Sequence, residues 1–326
     1  MTSATTPTSQ SRFHLSAENK PILVAAGFIL VILAVGNAYT LATQGSATLL
    51  SPTYLLQQLQ VGAFLGIVAA GMMLVILLGH IDLSVPWTIA AAAMMATAVG
   101  GPAAIPVGLA VGLLVGFVNG LGVAYLRIPS MIFTLGVNAV MRGLMVAHTG
   151  GFAPQTAATG LMQWLAVGKV LGIPVALLVW AVVSIGMVVL LTRTSTGKYI
   201  YAIGNKEAAA YLAGVPTRRI IIAAFCLCGM AAGLAGTLLA GYSTKAYQGM
   251  GDAYLLPAIA AVVIGGTNIL GGRGRYLGTL VGVILIVLLN SVLSIMQMPE
   301  AGRQVIYGSV IILMLLVYGR GQKVTQ

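Results

Sequence analysis

A succession of long apolar segments restricts the fold of this chain more than any other feature of its sequence. Several of these segments exceed the roughly 18 residues that indicate a membrane-spanning helix. Charged residues make up only 6% of the chain, whereas about 25% is usual in a soluble domain. We therefore predict an all-α integral membrane protein with about ten transmembrane helices, broken in places, at residues 21–42, 54–79, 84–100, 103–125, 129–147, 170–191, 220–242, 255–271, 276–295 and 303–319.

The basic residues test this topology. If the N-terminus is cytoplasmic, twelve Lys and Arg residues fall on the inner side and three, Lys169, Lys245 and Arg303, fall outside. This distribution obeys the positive-inside rule and places both termini in the cytoplasm. The prediction is a polar, disordered tail at 1–20, one transmembrane domain at 21–319 with a cytoplasmic loop at 192–219, and a tail at 320–326.

The first apolar segment has two interpretations. Residues 21–35 have the length of a signal-peptide core, and Gly36-Asn37-Ala38 has the small residues of a cleavage site. However, the apolar character continues to about Leu41, and the later helices need this starting orientation. We expect a retained first helix.

Several function classes are excluded or disfavoured. The net charge of +11 is spread over segment ends and is not gathered on one face, which argues against nucleic-acid binding. Gly197-Lys198 lacks the other residues of a P-loop, so we expect no ATP site. The three histidines are too dispersed for a metal centre, and Cys226 and Cys228 are expected to be packing residues. The few carboxylates disfavour a proton relay.

Two glycine-containing interruptions lie in otherwise apolar sequence. The first is Gly79–Ser84, followed by Pro86, and the second comprises 265–268 and 271–274. Irregular backbone at membrane depth persists only where protein or a water-filled cavity satisfies its polar groups. Such interruptions in two halves of a chain point to a transport pathway. The alternative, which suits 271–274 in particular, is a tight cytoplasmic turn.

Isolated polar residues in the apolar segments are candidates for the pathway. Asp82 is a candidate because intramembrane charge is costly, although it could equally cap the helix that follows. Each asparagine could bind a hydroxylated substrate or join two helices, and the second role is the commoner one. The predicted pathway residues are Asp82, Asn119, Asn138, Asn268 and Asn290. Arg142, also in an apolar segment, is expected to extend toward the outer surface.

The polar loop at 192–219 contains a short predicted helix at 205–213. We expect Asn205 to be its N-cap, Glu207 to lie in its first turn, and Gly214 with Pro216 to end it. Ala208, Tyr211, Leu212 and Val215 have the spacing of one apolar helix face. A capped amphipathic helix outside the membrane suggests a surface for a partner, whereas the simpler interpretation is an ordinary loop.

Five segments, in order, resemble the permease subunits of bacterial ABC importers for sugars, of the ribose/galactose type. They are GHIDLSV (79–85), GFVNGLGVAYLRIPSMIFTLG (116–136), RTSTGKYIYAIGNKEAAAYLAGV (193–215), AIAAVVIGGTNILGGRGRYLGTLVG (258–282) and GRQVIYGSVIILMLL (302–316).

The resemblance implies a transport subunit of the bacterial inner membrane that is not an enzyme and binds no cofactor. ATP and Mg²⁺ would be bound by a cytoplasmic ATPase partner, and a periplasmic sugar-binding protein would deliver the sugar. A second permease, identical or related, would complete the membrane-embedded core. The helix at 205–213 would couple the chain to the ATPase through Gly204, Asn205, Glu207, Ala208, Ala209, Tyr211, Leu212 and Gly214.

The chain also departs from the family pattern. His80 stands where a second glycine is usual, and Pro86-Trp87 replaces a small residue. Tyr254–Pro257 lacks a common acidic residue, and Leu289–Val292 replaces a common N-N-G-L. These changes suggest a sugar other than ribose. Two other function classes remain as alternatives: a self-sufficient carrier or channel, and a membrane-embedded enzyme, for which the sequence offers no convergent cluster of reactive groups.

Overall fold

A computed structural model describes residues 20–152 and 156–319 of the chain. Apart from Lys20, the predicted tails at 1–20 and 320–326 lie outside these residues. Within them the chain forms α-helices α1 (Lys20–Gln44), α2 (Pro52–Leu77), α3 (Val85–Val99), α4 (Ala104–Ala124), α5 (Ser130–Thr149), α6 (Gly160–Val167), α7 (Val175–Arg193), α8 (Ser195–Asn205), α9 (Glu207–Leu212), α10 (Thr217–Tyr242), α11 (Leu255–Ile264), α12 (Tyr276–Ile295) and α13 (Glu300–Gly319).

The all-helical prediction is confirmed, and a helix occupies each of the ten predicted ranges. Seven helical segments among the described residues are long and apolar enough to cross a membrane: 21–43, 52–77, 101–124, 130–149, 175–193, 217–242 and 276–295. Helices α3 and α11 are apolar but shorter, with 15 and 10 residues. The single sheet in this part of the chain is a hairpin of β1 (Lys169–Val170) and β2 (Ile173–Pro174).

Two helices differ from their predicted ranges at one end. In the ninth range, 255–271, α11 ends at Ile264, directly before the predicted interruption at 265–268, where Gly266 adopts a positive φ of 90°. The sixth was predicted to begin at residue 170, but α7 begins at Val175 because the hairpin occupies 169–174. The short helices α6 and α8 were not predicted.

Glycines allow α4 and α10 to pack backbone to backbone. Gly108, Gly112 and Gly116 recur every four residues on one face of α4, and their counterparts on α10 include Gly229 and Gly233. A Cβ atom at Gly112 would collide with the carbonyl group of Gly229. Small residues at this spacing let helices approach closely inside a membrane, where dispersion contacts replace the hydrophobic effect. The contact fixes α4 antiparallel to α10.

The helix bundle has two ends, which can be named by their contacts. At the α9 end, Arg127 pairs with Glu207, the guanidinium of Arg218 lies 5.0 Å from the ring of Tyr125, and Gly266 approaches Pro21. The opposite end contains the α2 N-terminus, the α12 C-terminus and the three basic residues that were predicted to lie outside, Lys169, Lys245 and Arg303.

Candidate functional site

The first interruption, 79–84, is an irregular segment whose backbone groups have partners. The backbone N–H of Ile81 donates to Ser130 Oγ at 3.3 Å, and that of Leu83 donates to Thr134 Oγ1 at 2.9 Å. Both hydroxyls belong to the first turns of α5. The segment is therefore non-helical inside the bundle, and its N–H groups at Ile81 and Leu83 still have hydrogen-bond acceptors, as irregular backbone in a membrane requires.

Asp82 lies at the centre of a buried polar cluster. Its Oδ1 accepts hydrogen bonds from the backbone N–H of Ser84 at 2.9 Å and from Ser84 Oγ at 2.6 Å. Asn119 Nδ2, on α4, donates to both carboxylate oxygens at 3.2 and 3.3 Å and to Ser84 Oγ at 2.7 Å. Asp82 and Asn119 are both fully enclosed. The carboxylate thus fixes the entry to α3 and joins it to α4.

The structure does not bring the five predicted pathway residues to one site. Asn138 Oδ1 accepts from the backbone N–H of Trp87 at 3.3 Å, one turn along α3 from the Asp82 cluster. Asn268 lies in the loop between α11 and α12, where its Oδ1 accepts from the backbone N–H of Leu270. Asn290 lies at the opposite end and accepts from Arg303 Nη1 at 2.9 Å. The pathway role of all five remains a prediction.

Asn290 also borders a polar cavity of about 280 Å³ at the opposite end. Tyr54 and Gln58 from the start of α2 form one wall, and Ser291 and Ser294 from the end of α12 form the other. Tyr54 and Ser291 are hydrogen bonded through their hydroxyls. The polar lining is typical of a site that is open to water. The sequence did not predict this cavity, because each of its polar residues lies in an apolar segment.

The short helix predicted at 205–213 is present but shorter than predicted, and the predicted N-cap was wrong. Helix α9 spans Glu207–Leu212, and its N-cap position is Lys206. Asn205 instead belongs to the last turn of α8, where its Nδ2 donates to the Tyr201 carbonyl at 3.1 Å. Glu207 does lie in the first turn, and Gly214 follows the helix with φ of 82°.

The surface of α9 is apolar and largely uncovered. The side chain of Ala210 is buried against the bundle, while Ala208 and Ala209 are exposed. Tyr211 is 67% exposed and Leu212 is 85% exposed. Of the predicted apolar face, Ala208, Tyr211 and Leu212 therefore do not pack into their own chain, whereas Val215 is partly buried against the core. The exposed residues form an outward surface, which we call the α9 surface and define as Ala208, Ala209, Tyr211 and Leu212.

The helix pair α8–α9 is attached to both interruptions by close backbone contacts. Gly204, at the end of α8, lies so near the Leu77 carbonyl and the Gly272 amide that any Cβ atom there would collide with them. Gly272 adopts φ of 76° and sits against Asn205. Tyr201 adds a side-chain contact, since its hydroxyl donates to the Gly274 carbonyl at 2.8 Å. We call this meeting point of residues 77–79, 201–205 and 270–274 the backbone junction.

Charged groups flank the junction. Arg127 Nη1 lies 2.6 Å from Glu207 Oε1, which ties the loop before α5 to the start of α9. His80 lies nearby, and its ring centroid is 6.0 Å from that of Phe225.

Sequence reasoning missed the residues that hold the first interruption, Ser130 and Thr134. The signal was present, because two hydroxyls four residues apart at the start of an apolar helix lie on one face and can meet a neighbouring segment. Among the described residues, no group of three or more His, Cys, Asp or Glu side chains has the arrangement of a metal site.

These features define a class of protein: a helical membrane protein with several spans, in which two interrupted segments contact an exposed short helix at one end of the bundle. Comparison with known proteins narrows the class. The family described as branched-chain amino acid transport system / permease component matches residues 54–315. The chain belongs to this family of ABC-importer permeases. It is accordingly a multi-pass membrane protein and the permease component of an importer, not the ATPase.

Individual relatives cover most of the chain. The ribose import permease RbsC of Escherichia coli (strain K12) is 36% identical over 82% of this chain and 85% of that protein. RbsC of Bacillus subtilis (strain 168) is 34% identical over 95% of this chain and 96% of its own length. The autoinducer 2 import permease LsrD of Photorhabdus temperata is 31% identical over 78% of this chain and 79% of its own length. No solved structure gives a significant match.

Proposed function

We propose that the chain imports a monosaccharide or a related polyol, driven by a separate ATPase that docks on the α9 surface. One observation supports the coupling role: helix α9 has an exposed apolar surface and is also held by close backbone contacts to both interrupted segments. Tyr211 and Leu212 face outward, while Gly204, just before α9, packs against Leu77 and Gly272. A force applied to α9 would therefore reach α2 and the loop before α12 directly.

The proposed topology has ten membrane crossings with both termini in the cytoplasm of the bacterial inner membrane. The α9 end is the cytoplasmic end. This assignment is supported by the basic residues. Among the described residues nine lie at the α9 end, namely Lys20, Arg127, Arg193, Lys198, Lys206, Arg218, Arg219, Arg273 and Arg275, and three, Lys169, Lys245 and Arg303, lie at the other. Helices α3 and α11, although short, continue through the irregular segments that join them to their neighbours.

The substrate class is supported by relatives and by the chemistry of the polar residues. Relatives named for ribose import and for autoinducer 2 import align over most of the chain, whereas the family description names branched-chain amino acids. The cavity at the opposite end is lined by amide and hydroxyl groups, such as Asn290 and Ser294, and these groups suit hydroxylated solutes. A polyhydroxylated cargo therefore fits better than an apolar amino acid.

The proposed assembly contains two permeases, identical or related, a cytoplasmic ATPase that binds ATP and Mg²⁺, and a periplasmic binding protein. ATP-driven closure of the ATPase would move α9 as a rigid body, and the backbone junction would transmit this motion to the helices around the path. The path itself would bind the sugar weakly, since the delivering protein supplies most of the selectivity.

Reconstitution tests the proposal. The permease in proteoliposomes with its ATPase and binding protein should accumulate labelled D-ribose or a related sugar only when ATP is present. The permease alone should pass no sugar, whereas a self-sufficient carrier or channel would do so without ATP. Uptake of leucine in place of sugars would contradict the proposed substrate class.

A pair of variants tests the docking surface. Leu212→Glu, at an 85% exposed position on α9, should abolish ATP-driven uptake and co-purification of the ATPase. Leu171→Glu, at a 98% exposed position in the hairpin loop of the opposite end, is the matched control and should do neither. Equal behaviour of the two variants would contradict docking on α9.

A further inference from the structure

The segment between α10 and α11, residues 243–254, enters the bundle from the opposite end. Its first part lies at that end: Lys245 forms a β-bridge with Ala157, and Gln248 Nε2 donates to Thr149 Oγ1, at the last residue of α5, at 3.0 Å. Three residues later, Gly251 packs so closely on the Pro86 backbone that a Cβ atom would collide with its carbonyl. Pro86 belongs to the first turn of α3, so the segment has descended into the bundle.

The depth of Gly251 follows from helix geometry. Helix α10 has 26 residues and is about 39 Å long at 1.5 Å per residue. Gly236, six residues before its outer end, packs on Ile89 of α3, and Pro86 lies three residues deeper on α3. Nine residues correspond to about 13 Å, and α10 is about 9 Å longer than a hydrocarbon layer of roughly 30 Å. With α10 centred across this layer, Gly251 and its neighbour Asp252 lie about 9 Å inside its outer boundary.

Asp252 is an exposed carboxylate at this depth. In the part of the chain that the structure describes, its side chain forms no hydrogen bond and no ion pair, whereas the other intramembrane carboxylate, Asp82, is fully enclosed and bonded. A charged group facing hydrocarbon inside a bilayer is unfavourable, so such groups face a water-filled cavity or a partner.

The exposed side chains of the 243–254 segment suit a hydroxylated ligand. A carboxylate offers two acceptor oxygens and no donor, which matches neighbouring hydroxyls of a sugar. Tyr247, in the same segment, is half exposed and adds an amphipathic ring with a hydroxyl. The segment also follows the polar opposite end, from which a sugar would arrive if α9 is cytoplasmic.

We propose that Asp252 faces a water-filled path open to the opposite end and accepts hydrogen bonds from hydroxyl groups of the transported sugar. This proposal rests on the proposed function for the cargo, but the accessibility of Asp252 to water is independent of it. Asp252 is thereby a binding residue of the path, in addition to the residues predicted from the sequence.

Thiol labelling tests the water-filled path without any partner protein. The variant Asp252→Cys, made in a chain with Cys226→Ala and Cys228→Ala, is reconstituted and treated with a charged, membrane-impermeant thiol reagent. The control is Val182→Cys, which is 69% exposed on α7 and lies at a similar depth, seven residues from the helix start. The thiol introduced at position 252 should be labelled, and the thiol introduced at position 182 should not. Absence of labelling at position 252 would overturn the proposal.

Transport tests the binding role. The probe is the labelled sugar that the wild type accumulates, D-ribose or another pentose or hexose, and Asp252→Asn should lower its uptake roughly tenfold, the effect of losing one charge-assisted hydrogen bond. ATPase activity stimulated by the binding protein should persist, and Asp252→Glu should recover part of the uptake. The control Glu300→Gln, a surface carboxylate at the opposite end, should transport normally.

Failure of the proposed function and failure of the proposed role of Asp252 give different experimental results. If the wild-type assembly does not take up sugar, the proposed function fails, whatever the labelling result. If the wild type transports the labelled sugar and Asp252→Asn transports it equally well, the proposed function stands and the role of Asp252 in binding is wrong.

Discussion

The backbone N–H of Gly272 donates a hydrogen bond of 2.9 Å to the carbonyl oxygen of Leu77. The bond links the last residue of α2, where the first interruption begins, to the glycine loop of the second. Gly204, at the end of α8, packs against both the Leu77 carbonyl and the Gly272 amide, so α8 takes part in the same contact. The two interruptions and the helix pair α8–α9 therefore form one mechanical unit, although they are far apart in sequence.

Replacement of Gly204 by alanine tests this unit. Its Cβ atom would overlap the Leu77 carbonyl, so Gly204→Ala should destabilise the protein by about 1–3 kcal/mol, as overpacking does, and should impair uptake. Thermal unfolding in detergent and ATP-driven uptake provide the measurements. Gly186→Ala on α7 is the control, since a Cβ atom there meets open space. Equal stability of the two variants would refute the junction.

The ion pair between Arg127 and Glu207 orients α9. Glu207→Lys should abolish uptake because the new cation repels Arg127 and displaces the first turn of the helix. Unfolding stability should change by less than about 1 kcal/mol, since both side chains are partly exposed. Adding Arg127→Glu to Glu207→Lys restores the opposite charges and should recover uptake. Undiminished uptake in the single variant would contradict the role of the pair.

Gly214 ends α9 in a conformation that proline cannot adopt. Its φ is 82°, whereas the proline ring fixes φ at about −65°. Gly214→Pro should therefore reorient α9 and abolish uptake while the protein still inserts into the membrane. Gly214→Asn should retain most activity, because asparagine tolerates positive φ. Uptake is measured together with the amount of each variant in the membrane. Equal uptake by Gly214→Pro and Gly214→Asn would contradict the prediction.

The buried cluster around Asp82 contributes to stability. Asn119→Ala removes the donor that contacts both carboxylate oxygens and should cost about 1–3 kcal/mol in unfolding free energy. Asn290→Ala, whose hydrogen bond to Arg303 is exposed, should change stability by less than about 0.5 kcal/mol. Thermal unfolding of the two variants is the comparison. An unchanged midpoint for Asn119→Ala would rule out a structural role for the cluster.

Much of the fold was predictable because apolar length determines where membrane helices form. The Gly79–Ser84 and 265–274 interruptions were also identified from glycine and polar residues in apolar sequence. Helix ends were less predictable. Asn205 is a good N-cap by residue type, but packing of α8 on residues 270–274 continues that helix through it, so α9 starts at Glu207 instead.

The candidate site was only partly predictable, because long-range contacts decide which polar residues meet. Asp82 and Asn119 are 37 residues apart and share one cluster, while Asn290 lies at the other end of the bundle. Asp252 was overlooked since its depth depends on the contact between Gly251 and Pro86, which no local pattern encodes.

Cross-linking from α9 tests the central claim most directly. Ala209→Cys, in a chain with Cys226→Ala and Cys228→Ala, is paired with cysteines placed along the surface of the partner ATPase and oxidised in membranes. The account predicts a cross-link that changes in yield with ATP, and none from Leu171→Cys at the opposite end. A thiol at position 209 that reacts only from the periplasmic side, or never cross-links to the ATPase, would contradict it.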